Sequence, residues 1–426
     1  DLFKYTYDAA PDGPNGTEGI IYTDVLVEVL FADDNDANLL NGTPNDIAII
    51  QAFALHGITL LSNAVIAHSP ISTAPGNIDI SVNANISSTY SWALSSANCF
   101  YRINDNSNWN ALSMTPNGNS FSASIPAQPN GSVVAYYISL TDSYGFESGI
   151  NPQEANVMPI KDANLPYFIM VGYEVFEEED FDFNIGFWQT SDPSDNATTG
   201  MWEIGAPLGS YDNPNNLSGI VQTATQHTSG GYACAFTENA SSVNDGIGAN
   251  DVDGGHTTLF SPFYNLSSYT NPAFSYWRWY TNNPSSGANP GADWWQVMIT
   301  DDGVNWQYVE NTKSSDLSWR RCAFRIKDYV NLTSSVQLKF IASDSLRPGT
   351  NLDGGSLIEA AVDDLYLYES VDSGTGVDLI DNLFVEPKLI RVTDYLGREV
   401  NPSNTNGIKN LIYYYDDGTV NKRLIY

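Results

Sequence analysis

Basic residues are scarce in this sequence. Among its 426 residues, 17 are Lys or Arg and 50 are Asp or Glu, which gives a formal net charge of −33 at pH 7. A field of this sign repels the phosphate backbone of nucleic acids and the surface of anionic membranes, and it attracts divalent cations. The composition therefore excludes nucleic acid as a partner.

Long hydrophobic runs are also missing. No segment approaches the roughly 18 apolar residues that a membrane-spanning helix needs, so we expect no membrane span. The first residues, Asp1 to Lys4, lack the pattern of a signal peptide. We therefore expect a soluble chain whose natural N-terminus lies elsewhere.

Cysteine is rare. Cys99, Cys234 and Cys322 are too far apart for the spacing of a metal knuckle, and they allow at most one disulfide. Because small cysteines are commonly buried as free thiols, we expect free thiols in strands. A disulfide between Cys234 and Cys322 is the alternative.

Histidine is equally sparse, and no catalytic motif is present. The four histidines form no His-Glu-x-x-His pair, and the sequence has neither a Gly-x-Ser-x-Gly motif nor a phosphate-binding glycine loop with Lys. His256, close to Asp253, is a candidate ligand or base, although a lone His in a Gly-rich loop is more often a turn residue. We therefore assign no catalytic residue.

Aromatic residues are abundant. They make up 12% of the chain, with 10 Trp and 25 Tyr, while charged residues account for only 16%. Aromatic residues favour strands, and a chain of this length exceeds one ordinary core, so we expect two to four domains. The predicted fold class is mostly β: an immunoglobulin-like sandwich, a jelly-roll sandwich and a small C-terminal β domain, preceded by a short helical segment.

The helical segment lies in residues 1–65. Thr43 is a good N-cap, Pro44 suits the first helical position, and Gly57 is a plausible stop. The acidic run before this helix places oxygen ligands at alternate positions, as calcium prefers, but it lacks the glycine and the final Glu of an EF-hand. The calcium candidates here are Asp34, Asp36 and Asn38; a solvated acidic turn is the alternative.

Residues 66–173 alternate between apolar and polar positions, as in Ile80, Val82 and Ala84, and again in Val134, Tyr136, Ile138 and Leu140. This period predicts half-buried strands, and Pro-Asn-Gly turns at 116–118 and 129–131 separate them. About a hundred residues of this kind predict an immunoglobulin-like or fibronectin-type sandwich. The segment resembles modules that follow many secreted bacterial enzymes.

Residues 174–371 contain most of the tryptophans. The runs 271–280, 294–300 and 336–341 predict strands, and Asp301-Asp302-Gly303 predicts a hairpin turn, so a two-sheet jelly roll is expected. The Gly-rich run 248–262 and the segment 360–365 resemble adhesive jelly-roll domains related to MAM and to the tails of immune-inhibitor-type metallopeptidases. Exposed Trp rings would suit a glycan ligand, although Trp in a sheet is more often core.

In folds of that kind, carboxylates on the first and last strands often share a calcium, because these strands are neighbours in the sheet. Hard oxygen ligands drawn from distant parts of the sequence would hold the sandwich closed. Acidic turns on an acidic surface are the alternative. The residues proposed for this calcium are Glu179, with Glu177 or Asp180 as substitutes, and Asp251, Asp253, Asp363 and Asp364.

The segment from Phe31 to Gly57 resembles the closing helix of the peptidase domain in large secreted bacterial zinc metallopeptidases of the thermolysin–fungalysin type. The resemblance implies that residues 1–65 are the end of such a domain. It also implies that the zinc ligands and catalytic Glu lie upstream of Asp1. Any zinc therefore belongs to a domain that this sequence does not contain.

Residues 372–387 are rich in Gly and Ser near their start and predict a linker. Residues 388–426 are locally basic. They contain Asp-Tyr-Leu-Gly-Arg-Glu-Val at 394–400 and Tyr-Asp-Asp-Gly-Thr-Val at 415–420, followed by a basic and apolar terminus. With this pattern they resemble the C-terminal sorting domains of type IX secretion cargo in Bacteroidota, without the usual Tyr-Pro-Asn-Pro start. The resemblance implies binding to the secretion translocon or its shuttle protein. A hairpin that completes the jelly roll is the alternative. The residues proposed for recognition are Gly397, Arg398, Asp417, Gly418, Lys422 and Arg423.

Two functions follow from these observations. The first is the accessory and export region of a secreted or cell-surface metallopeptidase-like protein. The second is a surface adhesin or glycan-binding protein whose jelly roll binds a glycan or a protein. Both imply an extracellular or outer-surface location reached through the periplasm.

Overall fold

The computed structural model of the protein describes residues 18–156, 163–182, 187–215, 217–228, 230–282, 291–315, 317–344, 356–371, 389–394, 398, 409–415 and 420–425. The chain divides into two compact units, Asp1–Asp372 and Ser373–Tyr426. Strands dominate the residues that the structure describes, so the prediction of a mostly β fold is confirmed. Within the described residues, neither helix is long and apolar enough to span a bilayer.

The described part of the N-terminal segment holds two α-helices, whereas the sequence predicted one. Helix α1 spans Glu18–Asp33 and helix α2 spans Asp46–Ala54. Helix α2 begins at Asp46 instead of near Thr43 because Asp33 Oδ2 accepts hydrogen bonds from Thr43 Oγ1 (2.7 Å) and Asn45 N (2.6 Å). These bonds hold Thr43 and Asn45 in the loop before the helix. The apolar side of α1 packs on the first sandwich through residues that include Leu26 and Leu30.

The first sandwich consists of two sheets. One sheet has the order β1-β3-β7-β6, and the other has the order β2-β10-β8-β4-β5, with β9 paired to β8. All pairs are antiparallel except β2 with β10. The strands are β1 (Val65–Ala67), β2 (Thr73–Ala74), β3 (Ile80–Ser87), β4 (Leu94–Ile103), β5 (Asn110–Ser113), β6 (Thr115–Asn117), β7 (Ser120–Ile125), β8 (Ser132–Asp142), β9 (Glu147–Asn151) and β10 (Tyr167–Val171).

Strand β3 shows the predicted alternation, since every second residue from Ile80 to Ile86 is buried. Strand β8 does not, because ten of its eleven residues are buried and both of its faces are covered. Val134 and Tyr136 face the core of the first sandwich, whereas Val133 and Ala135 belong to a second core. The half-buried strand predicted for this segment is therefore wrong.

The second sandwich also has two sheets. One has the order β12-β15-β22-β17-β20, with β11 paired to β22, and the other has the order β16-β21-β18-β19. A separate hairpin, β13-β14, lies in the loop after β12. The strands are β11 (Tyr173–Glu179), β12 (Trp202–Gly205), β13 (Tyr211–Asn213), β14 (Ser218–Ile220), β15 (Cys234–Thr237), β16 (His256–Phe260), β17 (Ala273–Thr281), β18 (Trp294–Thr300), β19 (Gln307–Thr312), β20 (Arg320–Arg325), β21 (Gln337–Ser343) and β22 (Glu359–Ser370).

Two local predictions in this sandwich are confirmed. Strands β18 and β19 pair as a hairpin around residues 301–303. Cys99, Cys234 and Cys322 are buried free thiols, which rules out the disulfide between Cys234 and Cys322.

The two sandwiches share one hydrophobic core. Val133, Leu165 and Met170 from the first sandwich pack with Tyr276 and Phe324 from the second, and all five are buried. Burial of each such side chain contributes about 1.5–3 kcal/mol. The joint is therefore a continuous packed core and not a flexible linker.

Gly172 connects β10 to β11 at this joint. Its φ is 58°, a left-handed conformation that side chains rarely adopt, and a Cβ there would lie 2.0 Å from Asn130 Oδ1. Asn130 Nδ2 in turn donates to Val371 O at 3.1 Å. Glycine therefore allows the chain to pass between the sandwiches while Asn130 bonds across the joint.

The C-terminal unit contains a three-stranded antiparallel sheet of its own. The strands are β23 (Leu389–Asp394), β24 (Lys409–Tyr415) and β25 (Val420–Ile425). These strands pair with one another, so they do not form a hairpin that completes a jelly-roll sheet. The predicted linker, residues 372–387, lies outside the described residues.

Candidate functional site

A cleft of about 710 Å³ lies where the two sandwiches meet. One wall comes from the first sandwich: residues 70–72 before β2, residues 150–153 at the end of β9, and the start of β10. The other wall comes from the second sandwich: Trp277 on β17, Trp319, and the start of edge strand β20. The cleft therefore exists only because the sandwiches are joined in this arrangement.

The position of Trp277 follows from the alternation of β17. Tyr276, Arg278 and Tyr280 point into the buried core, so Trp277 stands on the opposite face of the sheet. There it lines the cleft and is only half-buried. The alternation of the strand therefore points Trp277, the first tryptophan of the Trp-Arg-Trp run, into the cleft.

His227 fixes the orientation of this ring. The imidazole stacks on Trp277 with 3.7 Å between ring centroids and an angle of 18°, and it meets Trp319 edge-on at 5.9 Å. His227 Nδ1 is 2.6 Å from Asp364 Oδ2, a buried carboxylate. Because His227 covers one face of Trp277, the opposite face and the edges of the indole remain for the cleft.

Polar groups surround the aromatic rings. Arg320 Nη2 donates to Gln153 O at 3.2 Å, and Arg321 Nη1 donates to Ser72 O and Phe168 O, both at 3.2 Å. Tyr167 lines the same cleft, and its hydroxyl donates to Asn151 Oδ1 at 2.8 Å. Aromatic faces bordered by a few fixed hydrogen-bonding groups are typical of small-ligand sites.

Sequence reasoning missed these cleft residues. The sequence predicts that most tryptophans belong to the core, whereas four of the ten are buried and six are half-buried. The two walls lie at least 109 residues apart in the sequence, the separation of Phe168 and Trp277, so no local motif brings them together. The only local signal was the density of Trp between residues 277 and 319.

The calcium candidates of the N-terminal loop form a series of turns. Asp34 Oδ1 accepts from Asp36 N, Asp36 Oδ1 from Asn38 N, and Asn38 Oδ1 from Leu40 N, at 3.1–3.3 Å. Each side chain therefore bonds to the backbone two residues further on.

Asp251 and Asp253 lie near the start of β22. Asp251 is buried, and Ile358 N donates to its Oδ2 at 3.4 Å. Burial, and secondarily the charge of Asp253, raises the pKa of Asp251 to about 8. His256 is the first residue of β16, not a turn residue, and its Nε2 lies 3.6 Å from Asp195 Oδ1.

Glu179, Asp363 and Asp364 lie on paired strands, since β11 and β22 are neighbours and Glu179 is opposite Leu365. Glu179 accepts hydrogen bonds from Phe181 N (3.0 Å) and Trp188 Nε1 (3.2 Å). Burial, with a contribution from Asp364, raises the pKa of Asp363 to about 8.

The ligands predicted for the calcium of the second sandwich thus lie in two places, Asp251 and Asp253 near the start of β22 and the carboxylates on β11 and β22. Asp363 is five residues along β22 from Ile358, the residue that contacts Asp251, which corresponds to about 17 Å of strand. In the described residues, no group of three or more His, Cys, Asp or Glu side chains is arranged to hold a metal ion. Calcium binding stays a prediction.

Of the predicted sorting residues, Lys422 and Arg423 lie in β25, paired in register with Ile412 and Leu411. Arg398 is exposed. Gly397, Asp417 and Gly418 lie outside the described residues.

No protein-family model matches the chain, and no curated protein sequence matches it at a significant level. Several solved structures of carbohydrate-binding modules are similar at low identity. The CBM22-1–GH10 modules of Clostridium thermocellum Xyn10B, complexed with xylohexaose, match at 12% identity and a TM-score of 0.24; the match covers 48% of this chain and 30% of that one.

The C-terminal family 22 carbohydrate-binding module of the same enzyme matches at 10% identity and a TM-score of 0.23, over 48% of this chain and 97% of that one. The tandem CBM22-1–CBM22-2 domain of Paenibacillus barcinonensis Xyn10C matches at 11% and 0.25, over 72% and 82%. Such low TM-scores carry no argument about this chain.

Proposed function

We propose that this chain is a glycan-binding region and that the cleft between its sandwiches holds the sugar. The observation that carries the proposal is the cleft itself, in which Trp277, Trp319 and Tyr167 line about 710 Å³ together with fixed polar groups. The proposed ligand position is the joint of the two sandwiches and not the jelly roll alone.

The chemistry of the lining suits a carbohydrate. A sugar ring has an apolar face of C–H groups and a rim of hydroxyls, so it packs against an aromatic ring while its hydroxyls bond at the side. Trp277 and Trp319 supply the rings, and Arg320 and the exposed Gln153 supply the polar rim. The volume lies within the range of about 300–1,000 Å³ that is usual for ligand sites.

The cleft is held in shape before any ligand arrives. Arg321 bonds to two backbone carbonyls of the opposite wall, and Trp277 is stacked on His227. A site with this much internal support loses little conformational entropy when it binds. The rigidity of the joint therefore favours binding.

The test is affinity electrophoresis against a panel of plant, bacterial and animal glycans, followed by calorimetry on those that bind. Truncation of a central aromatic residue commonly costs 2 kcal/mol or more, so Trp277→Ala should weaken binding by roughly thirtyfold. Trp306→Ala is the matched control, because Trp306 is also half-buried but lies outside the cleft. Equal losses in both variants, or no binding by the parent chain, would refute the proposal.

The export function concerns the C-terminal unit. Its compact fold, separate from residues 1–372, supports a role as an independent recognition element for a type IX translocon or shuttle. Residues 373–426 fused to a folded reporter should bring the reporter to the surface of a bacterium that has this secretion system. Retention in the periplasm would contradict the role, and Arg423→Glu tests the basic terminal strand.

Calcium binding is part of the proposal for the accessory region. An ion at Asp251 and Asp253 would favour the charged form of a carboxyl that burial keeps protonated. Calcium should therefore raise the melting temperature at pH 8 and chelator should lower it. An unchanged melting temperature would remove calcium from the proposal.

A further inference from the structure

We propose that the glycan held by this cleft is anionic, with carboxylate or sulfate groups that the two arginines bind. The inference rests on the proposed function, since it names the chemical class of the same ligand. It is carried by a local reversal of charge within a strongly acidic protein.

The reversal appears in the lining of the cleft. The chain has 50 acidic and 17 basic residues, so a patch of surface chosen at random is rich in carboxylates. Among the residues that the structure describes, the cleft lining includes Arg320 and Arg321 and no Asp or Glu. The described lining is therefore basic, whereas the protein as a whole is acidic.

The hydrogen bonds of Arg321 that the structure describes go to neutral groups. Its three hydrogen bonds go to Ser72 O, Phe168 O and Tyr368 Oη, each at 3.2 Å. All three acceptors are neutral, and in the part of the chain that the structure describes no carboxylate pairs with this guanidinium. A guanidinium has five N–H donors, so donors remain for a ligand.

Two other arginines of the second sandwich, Arg278 and Arg325, pair with carboxylates. Arg278 Nε lies 2.9 Å from Glu310 Oε2, and Arg325 Nη2 lies 2.6 Å from Asp328 Oδ1. Arg321 differs from these two arginines, because its acceptors are neutral. At the cleft, backbone carbonyls orient Arg321 without cancelling its charge.

The two carboxylates of the neighbouring strand β22, Asp363 and Asp364, do not cancel the positive charge of the cleft lining. Asp363 lies opposite Trp277 in the sheet, and its carboxylate accepts hydrogen bonds from His227 N at 2.7 Å and Asp364 N at 2.9 Å. Asp364 already holds His227 through its Oδ2. Neither residue lines the cleft.

The net charge of −33 acts at longer range. At physiological salt the Debye length is about 8 Å, so charges beyond the rim of the cleft are largely screened. A charged group at hydrogen-bond distance from Arg320 or Arg321 is screened much less. Local attraction therefore exceeds the general repulsion at about 0.15 M salt.

The experiment compares matched pairs of probes on the full chain by calorimetry at this salt concentration. Oligogalacturonate and its methyl ester differ in the carboxylate charge, while dextran sulfate and dextran differ in sulfate. The charged member of at least one pair should bind about tenfold tighter or better. The pair that shows the difference identifies the oxyanion.

Variants assign the effect to the arginines. Arg320→Gln and Arg321→Gln should each reduce the preference for the charged probe, whereas Arg321→Lys should retain part of it. Lys327→Gln is the control, because Lys327 is exposed and lies outside the cleft. An equal loss in the control would mean that the preference is a general charge effect, which overturns the inference.

The two proposals fail in different ways. If neutral members bind as tightly as their charged partners, the anionic ligand is wrong while the glycan site stands. If no glycan of the wider panel binds at all, the proposed function itself is wrong.

Discussion

The shared core predicts that both sandwiches unfold in one transition. Two adjacent residues of β10 test this, because Ile169 points into the core of the first sandwich and Met170 points into the shared core. Both side chains are 0% exposed. Replacement of such a residue by Ala costs about 2–5 kcal/mol, and a loss of about 3 kcal/mol lowers the melting temperature of a large domain by roughly 5–10 °C.

The two sandwiches can be followed separately. Eight of the ten tryptophans lie beyond residue 187, so Trp fluorescence reports mainly the second sandwich, whereas far-UV circular dichroism reports all strands. In a cooperative unit, Ile169→Ala lowers the midpoint of Trp fluorescence as much as that of circular dichroism, and Met170→Ala does the same. If Ile169→Ala leaves the fluorescence midpoint unchanged, the sandwiches unfold independently and the shared core does not couple them.

Three further predictions follow. Gly172→Ala should destabilise the chain by at least about 1–2 kcal/mol, from the left-handed backbone alone, and the urea midpoint measures it; an unchanged midpoint would mean that Asn130 moves away freely. Burial, then neighbouring carboxylates, raises the pKa values of Asp251 and Asp363 to about 8. Because these carboxyls titrate near 3.9 in the unfolded chain, the free energy of unfolding should fall as the pH rises from about 4 to about 8. Without calcium, the urea midpoint should therefore be higher at pH 5 than at pH 8. Asp251→Asn should reduce this difference. Burial raises the pKa of the Cys99 thiol to about 12, so a thiol reagent should modify no cysteine in the native chain and three in urea; modification of the native chain would contradict the burial.

The sequence predicted the elements that depend on local patterns. The alternation in Ile80 to Ile86 identified a half-buried strand, and the Asp-Gly pair at 302–303 identified a hairpin, because each signal is complete within a few residues. Helix α1 was missed because its buried residues, Leu26, Val27 and Leu30, face a partner that is not visible in the sequence. Its burial depends on the sandwich beneath it.

Strand β8 shows why the joint was not predicted. Its run Val133 to Tyr137 is continuously apolar, which is typical of a strand covered on both faces. The alternation of Val134, Tyr136, Ile138 and Leu140, taken alone, predicts only one buried face. The second covering layer is the other sandwich, a partner that only tertiary structure reveals.

The cleft could not be predicted from local patterns either, because its two walls come from different sandwiches. Its position also links ligand binding to the stability of the joint. Arg321 bonds across the joint and also lines the cleft, so the contact that orients the guanidinium is one that holds the sandwiches together. A ligand that binds this arrangement and not the unfolded chain stabilises the whole unit according to its concentration and affinity. Binding and the integrity of the joint are therefore coupled: a substitution that loosens the joint weakens the site without touching the ligand. Loss of binding in a joint variant such as Met170→Ala thus measures how far the site depends on the packing behind it.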